Sequence, residues 1–272
     1  MQTTVDQVTV NDSWSLAPLA GLVGLEVRNA DLRVPLTVTE VDRIHRLLAH
    51  HGVVIFSHQK LDDAAHLGLA KQLGTPRPPA SYLPSLAEEG FPDICVISTE
   101  NGFAYMTDQW HSDVTWMEKP SRYSILHMQT APAAGGDTMW SSQIRAYERL
   151  SSPLRDLLVR LTAVHEIPSQ AGKSTVHPVV CVHPLTGKRA LFVNSVFTKR
   201  ICELEKPESD ALLAFLFAHA VQPEIVCRWR WSAGDLAIWD NQFVQHYAIA
   251  DYGPSARRIH RIELEGTAPI SA

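Results

Sequence analysis

Apolar residues in this chain come in short runs broken by turn-forming residues, and that spacing constrains the fold more than any other feature. Segments 53–56, 94–98, 123–129, 137–140, 179–182, 190–193, 225–231, 236–239 and 257–264 each read as a strand. The segments 179–182 and 190–193 form a hairpin around the turn 184–187, and Gly135-Gly136 marks another turn. Helical spacing is confined to a few stretches. Thr39, with Asp42 three residues on, caps a first helix whose apolar stripe is Val41, Ile44, Leu47 and Leu48 and which Gly52 stops. Asp62 caps a second, with Ala65, Leu69 and Leu73 on one face and Gly74 at its end. Further helices are predicted over 143–150, over 153–164 and from Pro207 onward, the last burying Leu212, Leu213, Leu216, Phe217 and Ala220. Segments 76–92 and 168–175 read as polar loops.

Many short strands with a few peripheral helices fit a mainly β jelly-roll or barrel, not a doubly wound sheet. No G-x-G-x-x-G or G-x-x-x-x-G-K-[ST] occurs, so neither nucleotide-binding fingerprint is present. With 272 residues, 45% of them hydrophobic and 19% charged, the chain can bury a sizeable core, and one domain over 1–272 is expected. A formal charge of -5 and the lack of a basic run argue against nucleic acid as partner. No signal peptide or spanning apolar segment is found, so no membrane partner is expected. Cys95, Cys181, Cys202 and Cys227 are too widely spaced for a C-x-x-C motif and read as buried, reduced thiols of a cytoplasmic protein.

The chemistry concentrates in two places. In Trp110-His111-Ser112-Asp113, an extended backbone would turn His111 and Asp113 to the same side, offering an imidazole and a carboxylate to one divalent metal. A second histidine from a distant strand would complete a two-His-one-carboxylate set with open coordination positions. By itself an H-x-D is weak evidence in a chain with 13 histidines. Near the C-terminus, His246 follows an apolar strand and a turn, and the last strand alternates Arg257, Ile259 and Arg261 on one face with Arg258 and His260 on the other. Two guanidinium groups four residues apart on an inward face call for anions, and a bidentate arginine suits a dicarboxylate.

The segments WHSDVTW, GGDTMW, HPVVCVHPLTGKRALFVN, RWRWSAGDLAIWDNQFVQHYAIADYG and RRIHRI resemble those of the TauD/TfdA family of Fe(II)- and 2-oxoglutarate-dependent dioxygenases, in the family's order and over nearly the whole chain. The family includes taurine dioxygenase, alkylsulfatases and 2,4-dichlorophenoxyacetate dioxygenases. The resemblance implies a double-stranded β-helix and a small-molecule substrate oxidised with O2. Carried over by position, it implies His111, Asp113 and His246 as iron ligands, and Thr138 and Arg257 as partners of the distal carboxylate of 2-oxoglutarate. It implies Arg261 as the residue that holds an anionic substrate group, Tyr82 as an aromatic of the substrate loop, and a homo-oligomer, dimer or tetramer. Pro79 and Thr107 stand where taurine dioxygenase has a histidine and an asparagine around its substrate, so taurine itself is not implied. For Arg261, pairing with Asp240 or Glu263 is the alternative role. At the level of the whole chain, a non-redox metal-dependent hydrolase and a non-enzymatic ligand-binding barrel stay open.

Overall fold

A computed structural model describes residues 14–80, 83–100, 108–167 and 173–272. The first third of the chain runs β1 (Ser15–Pro18), β2 (Leu25–Arg28), α1 (Val38–His51), β3 (Val53–Phe56), α2 (Asp63–Leu73), β4 (Pro76–Arg77), β5 (Ser85–Leu86) and β6 (Phe91–Ser98). The middle follows with β7 (Tyr123–Thr130), β8 (Thr138–Ser142), α3 (Gln143–Glu148), α4 (Ser152–Leu158), β9 (Thr162–Glu166), β10 (Ser174–Pro178), β11 (Val180–Val182), β12 (Arg189–Leu191) and β13 (Thr198–Ile201). The last part is α5 (Lys206–His219), β14 (Val226–Trp229), β15 (Leu236–Asp240), β16 (Val244–Ala248) and β17 (Arg258–Leu264).

Among the described residues, a nine-stranded sheet in the order β1-β2-β3-β15-β7-β17-β6-β5, with β4 on β17, faces a three-stranded sheet, β14-β8-β16. Every pairing in these two sheets is antiparallel except β2 with β3. The alternation of side chains sorts the strands into inner and outer faces. Val53, Ile55, Leu126, Met128, Ala237, Trp239 and Ile259 of the large sheet meet Trp140, Cys227 and Val244 of the small one in an apolar layer between the sheets. On the opposite side of the large sheet, Val54, Phe56, Ile94, Ile125, Ile238 and Ile262 pack on Ile44 and Leu48 of α1 and Leu69 and Leu73 of α2. A separate cluster gathers α3, α4 and α5 around β9, β11, β12 and β13. The mainly β, jelly-roll expectation is met.

Local details depart from the sequence expectation where short-range chemistry or long-range pairing decides. The first helix is capped by Thr37, not Thr39: Thr37 Oγ1 accepts from Glu40 N at 3.3 Å, and Glu40 Oε2 accepts from Thr37 N at 2.8 Å. A glutamate at the third helical position reaches back to the cap, which the shorter Asp42 cannot do; Asp42 pairs with Arg46 one turn on instead. Asp62 caps α2 as expected, its carboxylate accepting from Ala65 N at 2.7 Å. The helix predicted over 153–164 ends at Leu158, and Thr162–Glu166 is a strand held between β10 and β13. The predicted loop 76–92 contains the two-residue strands β4 and β5, which dock on β17 and β6. Of the predicted loop 168–175, residues 168–172 lie outside the described residues, and Ser174 and Thr175 open β10. All four cysteines are free thiols, three buried and Cys202 half-buried. No helix among the described residues is long and apolar enough to cross a membrane.

Candidate active site

The space between the two sheets holds the polar groups. His246 stands on β16, cross-strand from Trp140, so its ring points into the inter-sheet layer and lies 4.9 Å from that of Trp239. His111 forms an isolated bridge with His246: His111 N donates to His246 O at 3.1 Å, and His246 N donates to His111 O at 2.8 Å. The two imidazoles therefore lie side by side, with ring centroids 4.2 Å apart. Asp113 does not reach them along an extended strand, as the period-two reading expects. The backbone turns at Asp113, with Val114 at φ 49°, and the turn brings the carboxylate round to the rings.

The ligand-type atoms of His111, Asp113 and His246 all lie within 4.8 Å of one another, and all three residues are buried. Asp113 Oδ1 is 3.5 Å from His111 Nε2 and 3.7 Å from His246 Nε2, at or beyond the limit of a hydrogen bond. Three potential electron-pair donors thus converge at distances long for hydrogen bonds, which is a fitting environment for a divalent cation. His111 Nδ1 donates to Gln109 O at 2.7 Å, and that bond places its proton away from Nε2. Burial, with His111 beside it, pushes the pKa of His246 down to about 3, so its ring is neutral and carries a free electron pair. Burial works against ionisation of Asp113, but His246 and Arg261 outweigh it and hold the carboxyl well below its usual range.

Neighbours that no local sequence pattern singles out fix this trio. Ser124 on β7 donates to Asp113 Oδ2 at 2.9 Å, and Asn241 Oδ1 accepts from Asp113 N at 3.0 Å. The segment after Asp113 is clamped from β9, β10 and the chain before β13. His165 Nδ1 lies 2.9 Å from Thr115 Oγ1, Asn194 donates to the same hydroxyl at 3.1 Å, and Thr175 and His177 donate to the carbonyls of Trp116 and Met117, both at 2.9 Å.

Arg257, Ile259 and Arg261 share the inward face, as the alternation requires, while Arg258 looks outward to Glu100 and His260 pairs with Asp63 of α2. Arg257 is buried, donates to Gly136 O at 3.2 Å, and has its guanidinium 5.5 Å from the centre of the Tyr252 ring. Among the described residues, no carboxylate stands within ion-pair distance of it. Gly136 has φ 71°, and a Cβ there would meet Arg257 Cδ at 3.2 Å and Tyr252 at 3.1 Å, so this position needs glycine twice over. Thr138 is buried two residues on, its Oγ1 accepting from Trp231 Nε1 at 2.9 Å. That bond leaves the hydroxyl proton of Thr138 available to another acceptor. Arg261 pairs with Glu263 at 2.8 Å and with Asp113 at 3.3 Å; Asp240, the other partner considered, is held by Arg122 at 2.8 Å and His183 at 3.3 Å. Tyr82 and Thr107 lie outside the described residues.

The family described as "Taurine catabolism dioxygenase TauD, TfdA family" matches residues 15–262. An alpha-ketoglutarate-dependent sulfate ester dioxygenase of Pseudomonas putida is 36% identical, the match covering 93% of this chain and 90% of that protein. An alkylsulfatase of Acinetobacter baylyi is 32% identical, over 94% and 86% of the two chains. A crystal structure of a taurine dioxygenase from Burkholderia xenovorans superposes with a TM-score of 0.86 at 35% identity, covering 95% of this chain and 93% of its own. In fold, in the order of its motifs and in overall similarity, the chain belongs to the TauD/TfdA family of alpha-ketoglutarate-dependent dioxygenases.

Proposed function

We propose that this enzyme oxidises an unactivated C–H bond of a small anionic substrate, a sulfate ester or sulfonate, with Fe(II) held by His111, Asp113 and His246. The observation that supports the reading is the buried trio with the buried Arg261 of β17 3.3 Å from Asp113, and the buried Arg257 just before that strand. When bound, Fe(II), 2-oxoglutarate and O2 supply the oxidation, with succinate and CO2 released. The chain's own residues position and enclose. Arg257, which has no carboxylate of its own among the described residues, takes the distal carboxylate of 2-oxoglutarate through paired N–H bonds. The Thr138 hydroxyl donates to the same group, because its oxygen is already engaged by Trp231. Arg261 lies four residues further along the face, about 13 Å at the rise of a strand, and so meets a different molecule: the prime substrate. The apolar layer of Trp140, Trp239 and Val244 keeps water from the reacting centre.

The sulfate-ester class draws support from the similarity to a sulfate ester dioxygenase and an alkylsulfatase. Oxidation at the carbon bearing a sulfate ester gives a product that collapses to an aldehyde and free sulfate. The test is anaerobic addition of 2-oxoglutarate to Fe(II)-loaded protein, followed by a panel of alkyl sulfates, sulfonates, taurine and carboxylates. A weak visible charge-transfer absorption, perturbed by the best substrate and lost in Asp113→Ala, is the expected result. An Asp113→Ala variant that keeps the absorption and forms succinate at the wild-type rate would falsify the metal assignment.

A further inference from the structure

Two buried guanidinium groups, Arg257 just before β17 and Arg261 within it, are candidates for the dicarboxylate cosubstrate. Their surroundings differ. Arg257 rests on a carbonyl and an aromatic face, with no carboxylate in ion-pair range among the described residues. Arg261 lies 2.8 Å from Glu263 Oε1 and 3.3 Å from Asp113 Oδ1. A metal ion at the trio would draw on Asp113, and Glu263 would remain as the compensating charge.

Glu263 is itself held in place. Ser121 Oγ donates to its Oε2 at 2.5 Å, Arg77 donates to Ser121 Oγ at 3.4 Å, and Arg77 is anchored on Lys119 O at 2.8 Å. Its backbone is locked between Arg77 of β4 and Ser124 of β7, and its side chain is only 14% exposed. A carboxylate fixed from two sides is a constant part of the subsite's charge.

We propose that Glu263 is a specificity-determining residue: by neutralising Arg261 it directs the dicarboxylate cosubstrate to Arg257 and reserves the second subsite for a weakly basic anion. The inference rests on the functional reading above and deepens it. A carboxylate concentrates its charge on two strongly hydrated oxygens, and repays desolvation only against a guanidinium free to give it full charge-assisted bonding. A sulfate monoester or sulfonate spreads one charge over three weakly basic oxygens, so it loses less in a compensated subsite. Selectivity is a difference of affinities, and Glu263 acts on that difference by penalising the wrong anion.

The probes are 2-oxoglutarate, hexyl sulfate and the chain-matched heptanoate, on anaerobic Fe(II)-loaded wild type and Glu263→Gln. Glutamine keeps the size and an acceptor for Ser121 or Arg261 while removing the charge. Wild type is expected to bind one 2-oxoglutarate per chain by calorimetry. Glu263→Gln should bind a second that hexyl sulfate displaces, and its preference for hexyl sulfate over heptanoate should fall about tenfold or more. A variant that binds a single 2-oxoglutarate and keeps the wild-type preference overturns the proposal. So does a wild type that itself binds a second 2-oxoglutarate in competition with hexyl sulfate, a result that needs no variant to fold. A wild type that binds no 2-oxoglutarate removes the functional reading along with the inference, whereas one bound molecule with an unchanged variant removes the inference alone.

Discussion

Arg257, just before β17, and Arg258, its first residue, are adjacent yet have opposite surroundings, and this makes the cosubstrate assignment testable one residue at a time. Arg257 is enclosed beside Gly136 and Tyr252; Arg258 is more than a third exposed and faces Glu100. Arg257→Ala is expected to raise the half-saturating 2-oxoglutarate concentration about a hundredfold, the usual cost of truncating one partner of a buried charge pair. Arg258→Ala should change it by no more than about twofold, as exposed ion pairs contribute little. Steady-state titration of succinate release compares the two. At this scale much of the site could be read before any coordinates. His111, Asp113 and His246 stand in recognisable segments, and strand alternation alone puts Arg257 and Arg261 on one face. Ser124 and Asn241 could not be read, because a serine in a strand and an asparagine in a turn become partners of Asp113 only when distant segments meet.

Elements were legible where their signals are local and obscure where pairing decides. The stop at Gly52 and the cap at Asp62 are short-range chemistry, and both are found. Thr37 precedes the first helix and Thr39 lies in its first turn, and the reach of Glu40 back to Thr37 fixes the cap. Thr37→Ala should therefore lower stability by about 1 kcal/mol, and Thr39→Ala by a few tenths at most, measured as urea midpoints. The helix predicted over 153–164 overruns into β9 because Leu161, Ala163 and Val164 continue the apolar pattern, and the pairing of β9 with β10 and β13 is invisible in a local window. That strand also carries a pH dependence. Burial, with His177 alongside, pushes the pKa of His165 down to about 3, and burial with His127 does the same for His66 on α2. The unfolded chain takes up protons on these rings near pH 6.5 and the native chain does not, so stability falls as the pH drops from about 6.5 towards 3. Above that window the two rings contribute no slope. Replacing His66 with leucine, which has no proton to take up, should flatten the acid limb of a plot of urea midpoint against pH. An acid limb as steep as that of wild type would count against a neutral buried His66.

For the whole molecule, many short strands predict a jelly-roll or barrel, and the structure adds the pairing that holds them in two sheets. The site exists only across the gap: His246 and Thr138 come from the small sheet, Ser124 and Arg261 from the large one, and His111 and Asp113 from the connection before β7. A site assembled from both sheets and the connection before β7 couples occupancy to global stability. Fe(II) with 2-oxoglutarate, each at a hundred times its dissociation constant, should raise stability by roughly 2–3 kcal/mol per bound ligand and lift the thermal midpoint accordingly. Asp113→Ala should abolish the Fe(II) part of that rise, as scanning calorimetry under argon would record.

The reciprocal pair of backbone hydrogen bonds between His111 and His246 has a consequence for metal supply in the cell. Because the main chain itself spaces the two imidazoles, the proposed metal site is formed before any ion arrives and has little means of rejecting a wrong one. Divalent zinc, cobalt or nickel would enter the same nitrogens and carboxylate, with zinc and nickel held more tightly than iron by the ordinary order of affinities. On the proposed ligand assignment the protein is exposed to mismetallation. Trace zinc during purification should silence it without loss of structure, and chelation followed by Fe(II) under reducing conditions should restore turnover with no refolding step, a recovery that circular dichroism recorded alongside the assay would verify.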